Sequence, residues 1–225
     1  MRRKIITTAD GSKTIQIEDW NEQYHSVHGA IQEANHVYIK HGLLFYYSEN
    51  KRLPNQPISV LEIGFGTGLN ALLTLLTAQN FGHPVHYVGV EAFPVTSEEL
   101  QELNYPSELH IGSSLFEALH ETPWETVNHI SEDFQLIKQK KYFKEISEVN
   151  TYDVIYFDAF GARVQPELWT KELFQIMYKA LRQNGVLTTY AAIGRVRRNL
   201  ESIGFHVERL QGPPGKRHML RAVKR

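Results

Sequence analysis

The sequence predicts a single α/β domain built on a doubly wound, mostly parallel sheet. Two observations carry the prediction. From Pro57 onward short β-branched runs alternate with longer amphipathic ones, and strands alternating with helices make a sheet covered on both faces. The first junction, "VLEIGFGTGLNALLTLL" (Val60 to Leu76), crowds three glycines between an apolar run and a helix-like one. A chain of 225 residues is long enough for one substantial core, expected as an N-terminal extension over 1–50 and the α/β core over 57–225.

The elements follow in order. "KIITTADGSKTIQIE" sets Asp10-Gly11 between runs rich in Ile and Thr, a β-hairpin signal that reads as an N-terminal flap. Tyr24 to Leu44 has approximately helical spacing, with Gly42 as its expected stop. After the loop "ENKRLPNQP", "ISVLEIG" reads as a strand, "GLNALLTLLTAQN" as a helix, "VHYVGVE" as a strand and "PVTSEELQEL" as a helix. "FQLIK" is a weaker third strand and "YDVIYFDAF" a strong fourth. "PELWTKELFQIMYKAL" predicts one helix with Pro166 in its first turn. "GVLTTYA" is a fifth strand, "GRVRRNLESI" a helix ended by Gly204, and "FHVERLQ" with "RHMLRAV" a closing hairpin. The stretch from Asn104 to Lys141 has the least periodicity and reads as an insertion or lid.

Composition narrows the function. Lys+Arg (24) and Asp+Glu (25) nearly cancel, so any nucleic-acid surface must be a local patch. The absence of cysteine excludes a disulfide scaffold, thiolate-bound zinc and cysteine catalysis, and no metal site is expected. No apolar run approaches the roughly 20 residues of a membrane span, so a soluble cytoplasmic protein is expected.

The glycine turn is Gly64, Gly66 and Gly68 in a G-x-G-x-G pattern. A dinucleotide fingerprint wants G-x-G-x-x-G, and a P-loop wants Lys-Ser/Thr where Leu69-Asn70 stands. The second strand ends in Glu91, where a nucleoside-binding fold puts an acid for the ribose hydroxyls. Turn and acid together point to a nucleoside ligand without a phosphate requirement, and S-adenosylmethionine fits. The bland alternative is a structural turn with a surface glutamate. The fourth strand ends in Asp158-Ala159-Phe160, beside the glycine turn in such a sheet. A carboxylate there can hold a substrate amine toward an electrophilic methyl and accept its proton, while Phe160 can stack on a base. Against this stands a capping Asp and a core Phe. Arg195, Arg197 and Arg198, with Lys216, Arg217, Arg221, Lys224 and Arg225, form a basic group in the last third of the chain. RNA docking wants such a patch, although solvated surface charge explains it as well.

Taken together, "GFGTGLN", "EAFP", "FDAF" followed by "PELW", "GRVRRNLESIGF" and "GKRHML" resemble the methyltransferase domain of the bifunctional tRNA 5-methylaminomethyl-2-thiouridine biosynthesis proteins and its free-standing relatives. "YHSVHGAIQEANHVYI" looks like that family's substrate-side segment. The resemblance implies a Rossmann-like class I fold and S-adenosylmethionine-dependent methylation of the aminomethyl group on a tRNA wobble uridine. It implies Gly64, Gly66 and Gly68 at the methionine part, Glu91 at the ribose and Asp158 as the catalytic group. Glu62, Thr67 and Asn70 join the cofactor-binding set. Tyr24 and Phe160 would receive the base, and Arg195, Arg197, Arg198, Lys216 and Arg217 the tRNA.

Two departures stand out. The family often carries a Gly-Asp pair after the third strand, where the acid contacts adenine; this chain has Lys140 and Lys141, and Asp133 lies too early. The length also leaves no room for the family's FAD-dependent oxidase domain, so methyl transfer alone is expected. The alternatives are a small-amine methyl- or aminopropyltransferase, which would not need the arginines, and an inactive methyltransferase-like binding module.

Overall fold

A computed structural model describes residues 2–50 and 56–225; most of the expected loop after Glu49 lies outside the described residues. The expected hairpin forms. Strands β1 (Arg3–Thr7) and β2 (Lys13–Ile17) pair antiparallel with Ile5 opposite Ile15. A short β3 (Glu22–Gln23) extends them to a three-stranded sheet. Arg3 Nη1 meets Glu99 Oε2 at 3.1 Å and Lys13 N donates to Asn104 Oδ1 at 2.7 Å, so this small sheet is tied down over the main one.

The helix expected from Tyr24 to Leu44 is corrected at both ends. Its first residues form β3's exit loop, and helix begins at α1 (Ala30–Ala34), continues as a π-helical stretch (Asn35–Leu44) and ends with α2 (Phe45–Glu49). Gly42 is no stop. A Cβ there would lie 3.1 Å from both Thr188 Oγ1 and Tyr156 Cε1, so glycine lets the helix lie directly on the sheet.

The main sheet has the strand order β10-β11-β9-β8-β4-β5-β7-β6. Its centre is parallel: β4 (Ile58–Ile63), β5 (Val85–Val90), β7 (Phe134–Gln139), β8 (Tyr152–Phe157) and β9 (Leu181–Thr189). β6 (Asn128–Ser131) and the hairpin of β10 (Phe205–Gln211) and β11 (His218–Lys224) are antiparallel additions at the two edges. Every residue of β8 is buried, as a central parallel strand covered on both faces requires. One face packs α3 (Leu69–Phe81) and the N-terminal helical run around Tyr38, Leu72, Tyr87 and Tyr156. The other packs α7 (Lys171–Ala180) and α8 (Gly194–Ile203) around Phe157, Trp169 and Phe174. Each such apolar side chain removed from water contributes about 1.5–3 kcal/mol.

Three further expectations change. The helix after the second strand is the short α4 (Ser97–Gln101), opened by a capping box of Thr96 and Glu99. The region from Asn104 to Lys141 is no lid: it folds into α5 (Tyr105–Glu108), α6 (Ser114–Glu121), β6 and the third parallel strand β7. "PELWTKELFQIMYKAL" divides into a 3-10 turn (Pro166–Trp169) and α7, because Thr170 takes an extended backbone and its side chain caps Leu173 N. No described helix is long and apolar enough to cross a membrane, and no three described His, Cys, Asp or Glu residues are grouped to hold a metal ion.

Candidate active site

The site lies where the parallel strands end. Between β4 and α3, Gly64, Gly66 and Gly68 take φ of +93°, +49° and +73°, a left-handed run that side chains with a Cβ disfavour. A Cβ on Gly64 would sit 2.9 Å from the Asp158 carbonyl oxygen, so glycine lets the ends of β4 and β8 meet. Glu91 follows β5. Its carboxylate accepts from Gly66 N at 3.2 Å and Phe93 N at 2.9 Å, which binds the acid to the glycine turn. Burial raises its pKa, against the backbone donors that lower it. Tyr24 lies over the turn, with its ring 3.1 Å from where a Gly66 Cβ would be.

Asp158 stands one residue past β8. Tyr38 OH donates to its Oδ1 at 2.6 Å, and Asn70 Nδ2 donates to its Oδ2 at 2.8 Å. Asn70 Nδ2 also reaches Glu62 Oε1 at 2.8 Å. Burial first of all pushes the Asp158 pKa up to about 7, with Tyr38 and Asn70 opposing it as donors and Glu33 adding to it. The Glu62 pKa is raised well above the ordinary carboxylate value, again chiefly by burial. Asn70, expected with Glu62 in the cofactor-binding set, thus links the Glu62 and Asp158 carboxyl groups. Thr67 is likewise turned inward, its Oγ1 2.7 Å from His25 Nε2 and 3.1 Å from Tyr105 OH. Burial holds the His25 pKa down to about 4, so this imidazole is neutral.

Asp158 opens onto a cavity of about 280 Å³ whose walls include Tyr24, Phe160, Tyr190, His25, Glu33 and Lys216. Tyr24 and Phe160 meet edge to face with centroids 4.9 Å apart. Trp169 Nε1 donates to Phe160 O at 2.8 Å and Tyr190 OH to Ala159 O at 2.8 Å, which anchors the loop after Asp158. Lys216, expected at a tRNA surface, is instead a cavity wall: its Nζ is ion-paired to the buried Glu33 and lies 3.9 Å from the Tyr190 ring centroid.

The remaining cations separate into two ends. Arg195, Arg197 and Arg198 are exposed at the start of α8, and Arg217 is exposed in the β10–β11 turn. Because β11 runs antiparallel to β9, that turn and the start of α8 share the end of the sheet that carries Asp158. Arg221 and Lys224 do not join this patch. Arg221 packs over Phe45 and pairs with Glu208, and Lys224 bonds Asn150, Tyr178 and Leu181 toward the opposite end.

Comparison with known proteins now bears on the chemistry. Residues 125–225 match a family of S-adenosyl-L-methionine-dependent methyltransferases. The chain is 30% identical, over 97% of its length, to the tRNA 5-methylaminomethyl-2-thiouridine biosynthesis bifunctional protein MnmC of Hydrogenovibrio crunogenus. The chain is thus similar to S-adenosyl-L-methionine-dependent methyltransferases over its second half and to MnmC proteins over nearly its whole length. It spans about one third of the MnmC relatives it matches, 33% for that protein and 31% for the one from Marinomonas. The fold is shared with MNMC2 of Aquifex aeolicus at a TM-score of 0.81, with 24% identity over the whole chain and 70% of that structure. A spermidine synthase from Thermotoga maritima shares it more distantly, with a TM-score of 0.54, 15% identity and coverage of 100% and 72%.

The residues of the site fit S-adenosyl-L-methionine. Glu91 ends β5 with its carboxylate on the glycine turn, and a carboxylate's further lone pairs suit ribose hydroxyls. Phe93, two residues on, is 61% exposed, an apolar face beside that acid. Four site residues were not singled out from the sequence: His25, Glu33 and Tyr38, which lie within the segment Tyr24 to Ile39, and Tyr190. His25, Glu33 and Tyr190 line the cavity and Tyr38 reaches Asp158 from segments distant in the chain, so no local spacing announces their roles.

Proposed function

We propose that this protein is an S-adenosyl-L-methionine-dependent methyltransferase that methylates the aminomethyl nitrogen of 5-aminomethyl-(2-thio)uridine at the wobble position of tRNA, giving the methylaminomethyl form, in the cytoplasm. The observation that carries the reading is Asp158, a carboxylate with a pKa of about 7 facing an aromatic cavity at the carboxyl ends of the strands. S-adenosyl-L-methionine supplies the electrophilic methyl group; the chain's residues manage the amine. An aliphatic amine is protonated to about pH 10 in water, and only its neutral form attacks. A proton acceptor with a pKa near neutrality suits that need. Tyr38 and Asn70 hold the Asp158 carboxylate in one orientation, so its free lone pairs point the amine in a fixed direction.

Bound S-adenosyl-L-methionine would supply the methyl group to the neutral amine, its sulfur keeping the electron pair, while Asp158 would accept the amine proton and release it to solvent. Tyr24 and Phe160 supply aromatic surface for an unstacked base. The exposed arginines at the same end of the sheet supply phosphate contacts. The likeness to a spermidine synthase concerns the fold and lends no weight to a small-amine substrate.

The test is to incubate the protein with methyl-labelled S-adenosyl-L-methionine and tRNA from cells lacking this modification, then digest and identify the labelled nucleoside. Label in 5-methylaminomethyl-(2-thio)uridine is expected. An unlabelled wobble uridine from a protein that binds the cofactor would overturn the substrate assignment.

A further inference from the structure

Lys216 and Glu33 lie 183 positions apart in the chain, yet they meet in the wall of the cavity that holds Asp158. Local structure on both sides brings them there. Gly215 takes φ +80°, and a Cβ on it would overlap the His28 ring, so glycine lets the β10–β11 turn lie on the loop that leaves β3. Lys216 N donates to Pro213 O at 2.9 Å within that turn. Glu33, in α1, is buried, and its Oε2 accepts from Ser26 N at 2.9 Å while its Oε1 takes the Lys216 ammonium. Both oxygens of the carboxylate thereby have a donor.

Stability is a weak reason for such a pair, because the cost of withdrawing two charges from water offsets much of their attraction. The position of the ammonium supplies a better one. It carries three N–H donors and no acceptor. Glu33 engages one, and the Tyr190 ring centroid, 3.9 Å from Nζ, faces the charge from another side. Among the described residues Nζ meets no other partner, and the side chain keeps 31% of its surface open, so a donor is left for the cavity. The hydroxyl of the same Tyr190 donates to Ala159 O at 2.8 Å, next to Asp158. Ammonium and catalytic carboxylate are thus arranged around one tyrosine.

A substrate that sets its amine on Asp158 carries a partner for that donor. In a 5-aminomethyl pyrimidine the ring carbon beside the substituted one is C4, which bears an oxygen in uracil and an amine in cytosine. The oxygen accepts a hydrogen bond and the amine donates one. An ammonium is complementary to the first and opposed to the second, the two halves of a specificity device.

We infer that Lys216, held in place by Glu33 and Tyr190, donates to O4 of the target base and so selects uridine over cytidine. The inference rests on the proposed aminomethyl-uridine substrate. Lys216 is then a specificity-determining residue, and Glu33 a positioning residue that acts through it.

The test compares two full-length tRNAs, assembled by ligation and alike except for a wobble 5-aminomethyluridine or 5-aminomethylcytidine, as acceptors of label from S-adenosyl-L-methionine. Wild-type kcat/KM should be about tenfold or more higher on the uridine tRNA, the size of one hydrogen bond from a charged donor. Lys216→Met combined with Glu33→Gln removes the donor without leaving a buried charge unpaired. It should lose about tenfold or more on the uridine tRNA and little on the cytidine one, erasing the preference. Lys216→Gln, whose amide can turn either a donor or an acceptor to the base, should erase it as well. Thermal unfolding and calorimetry with S-adenosyl-L-homocysteine report that both variants are folded and bind the cofactor product. Wild-type preference retained in the folded variants would overturn the inference. An equal loss on both tRNAs would also overturn it, being the result of a phosphate contact or a purely structural pair. Equal use of the two tRNAs by the wild type would overturn it while leaving the substrate reading in place. No transfer to the uridine tRNA by a wild type that binds S-adenosyl-L-homocysteine would overturn the substrate reading, and the inference with it.

Discussion

Tyr38 donates a 2.6 Å hydrogen bond to Asp158 across 120 positions of the chain, from the π-helical stretch of the N-terminal helix to the end of the central strand. The phenol is buried, and burial together with the Asp158 charge raises its pKa well above the usual tyrosine value, so it stays a donor. A donor to the ionised carboxylate favours that form. Tyr38→Phe is therefore expected to raise the Asp158 pKa and move the acidic limb of the kcat against pH profile upward, with activity recovering at higher pH. Asp158→Ala should abolish transfer while cofactor binding persists. An unshifted profile in Tyr38→Phe would assign the tyrosine to packing alone.

Asp158 also makes a stability prediction. Its folded pKa of about 7 lies above the ordinary value of 3.8, so between about pH 4 and 7 the folded chain holds a proton that the unfolded chain releases. Stability from this group is fully present below pH 4 and lost as pH rises through 7. Asp158→Asn, which carries no charge to bury, should exceed the wild type in melting temperature above pH 7, by on the order of a few kcal/mol in stability, and show no advantage at pH 4. His25 acts with the opposite sign: its lowered pKa of about 4 gives stability present above the ordinary 6.5 and lost as pH falls through 4. Comparing the asparagine variant with wild type at each pH cancels that term.

Gly89 predicts a packing defect with a functional readout. A Cβ there would come 2.3 Å from Phe65 Cδ2, and Phe65 is itself buried between the turn glycines. Gly89→Ala should cost about 1–3 kcal/mol or more by overpacking and weaken S-adenosyl-L-homocysteine binding, because Phe65 cannot retreat without moving the glycine turn. Thermal unfolding and calorimetry on one sample measure both; wild-type values of both would show that the ring has room to move.

Replacing both Arg197 and Arg198 with Ala should weaken tRNA binding and flatten its dependence on salt by up to about two units of the log–log slope. Arg197 pairs with Glu201 at 2.8 Å, yet an exposed pair of this kind contributes little to stability, so melting should hardly change. An unaltered salt slope would remove these arginines from the tRNA surface. Lys216, paired to Glu33 inside the cavity, should by contrast alter turnover more than the slope.

The order of strands and helices, the left-handed glycine turn and the acid that ends the second strand were all legible in the sequence, because periodicity and glycine spacing are local properties of a chain. So was Asp158, since a β-branched run ending in Asp points to one end of the sheet. What local pattern could not rank was decided by tertiary contact. Gly42 looked like a helix stop and serves a close approach to Thr188 and Tyr156. Lys216 looked like a surface cation and found the buried Glu33. Lys224 and Arg221 looked like members of one basic patch; the antiparallel direction of β11 carries Lys224 toward the opposite end, and Arg221 is taken up by Phe45 and Glu208. Tyr38, Asn70 and Glu62 converge on Asp158 only when distant segments are packed together. Hydrogen bonds between such segments have no sequence period; which donor meets which acceptor is settled by the packing of the helices against the sheet.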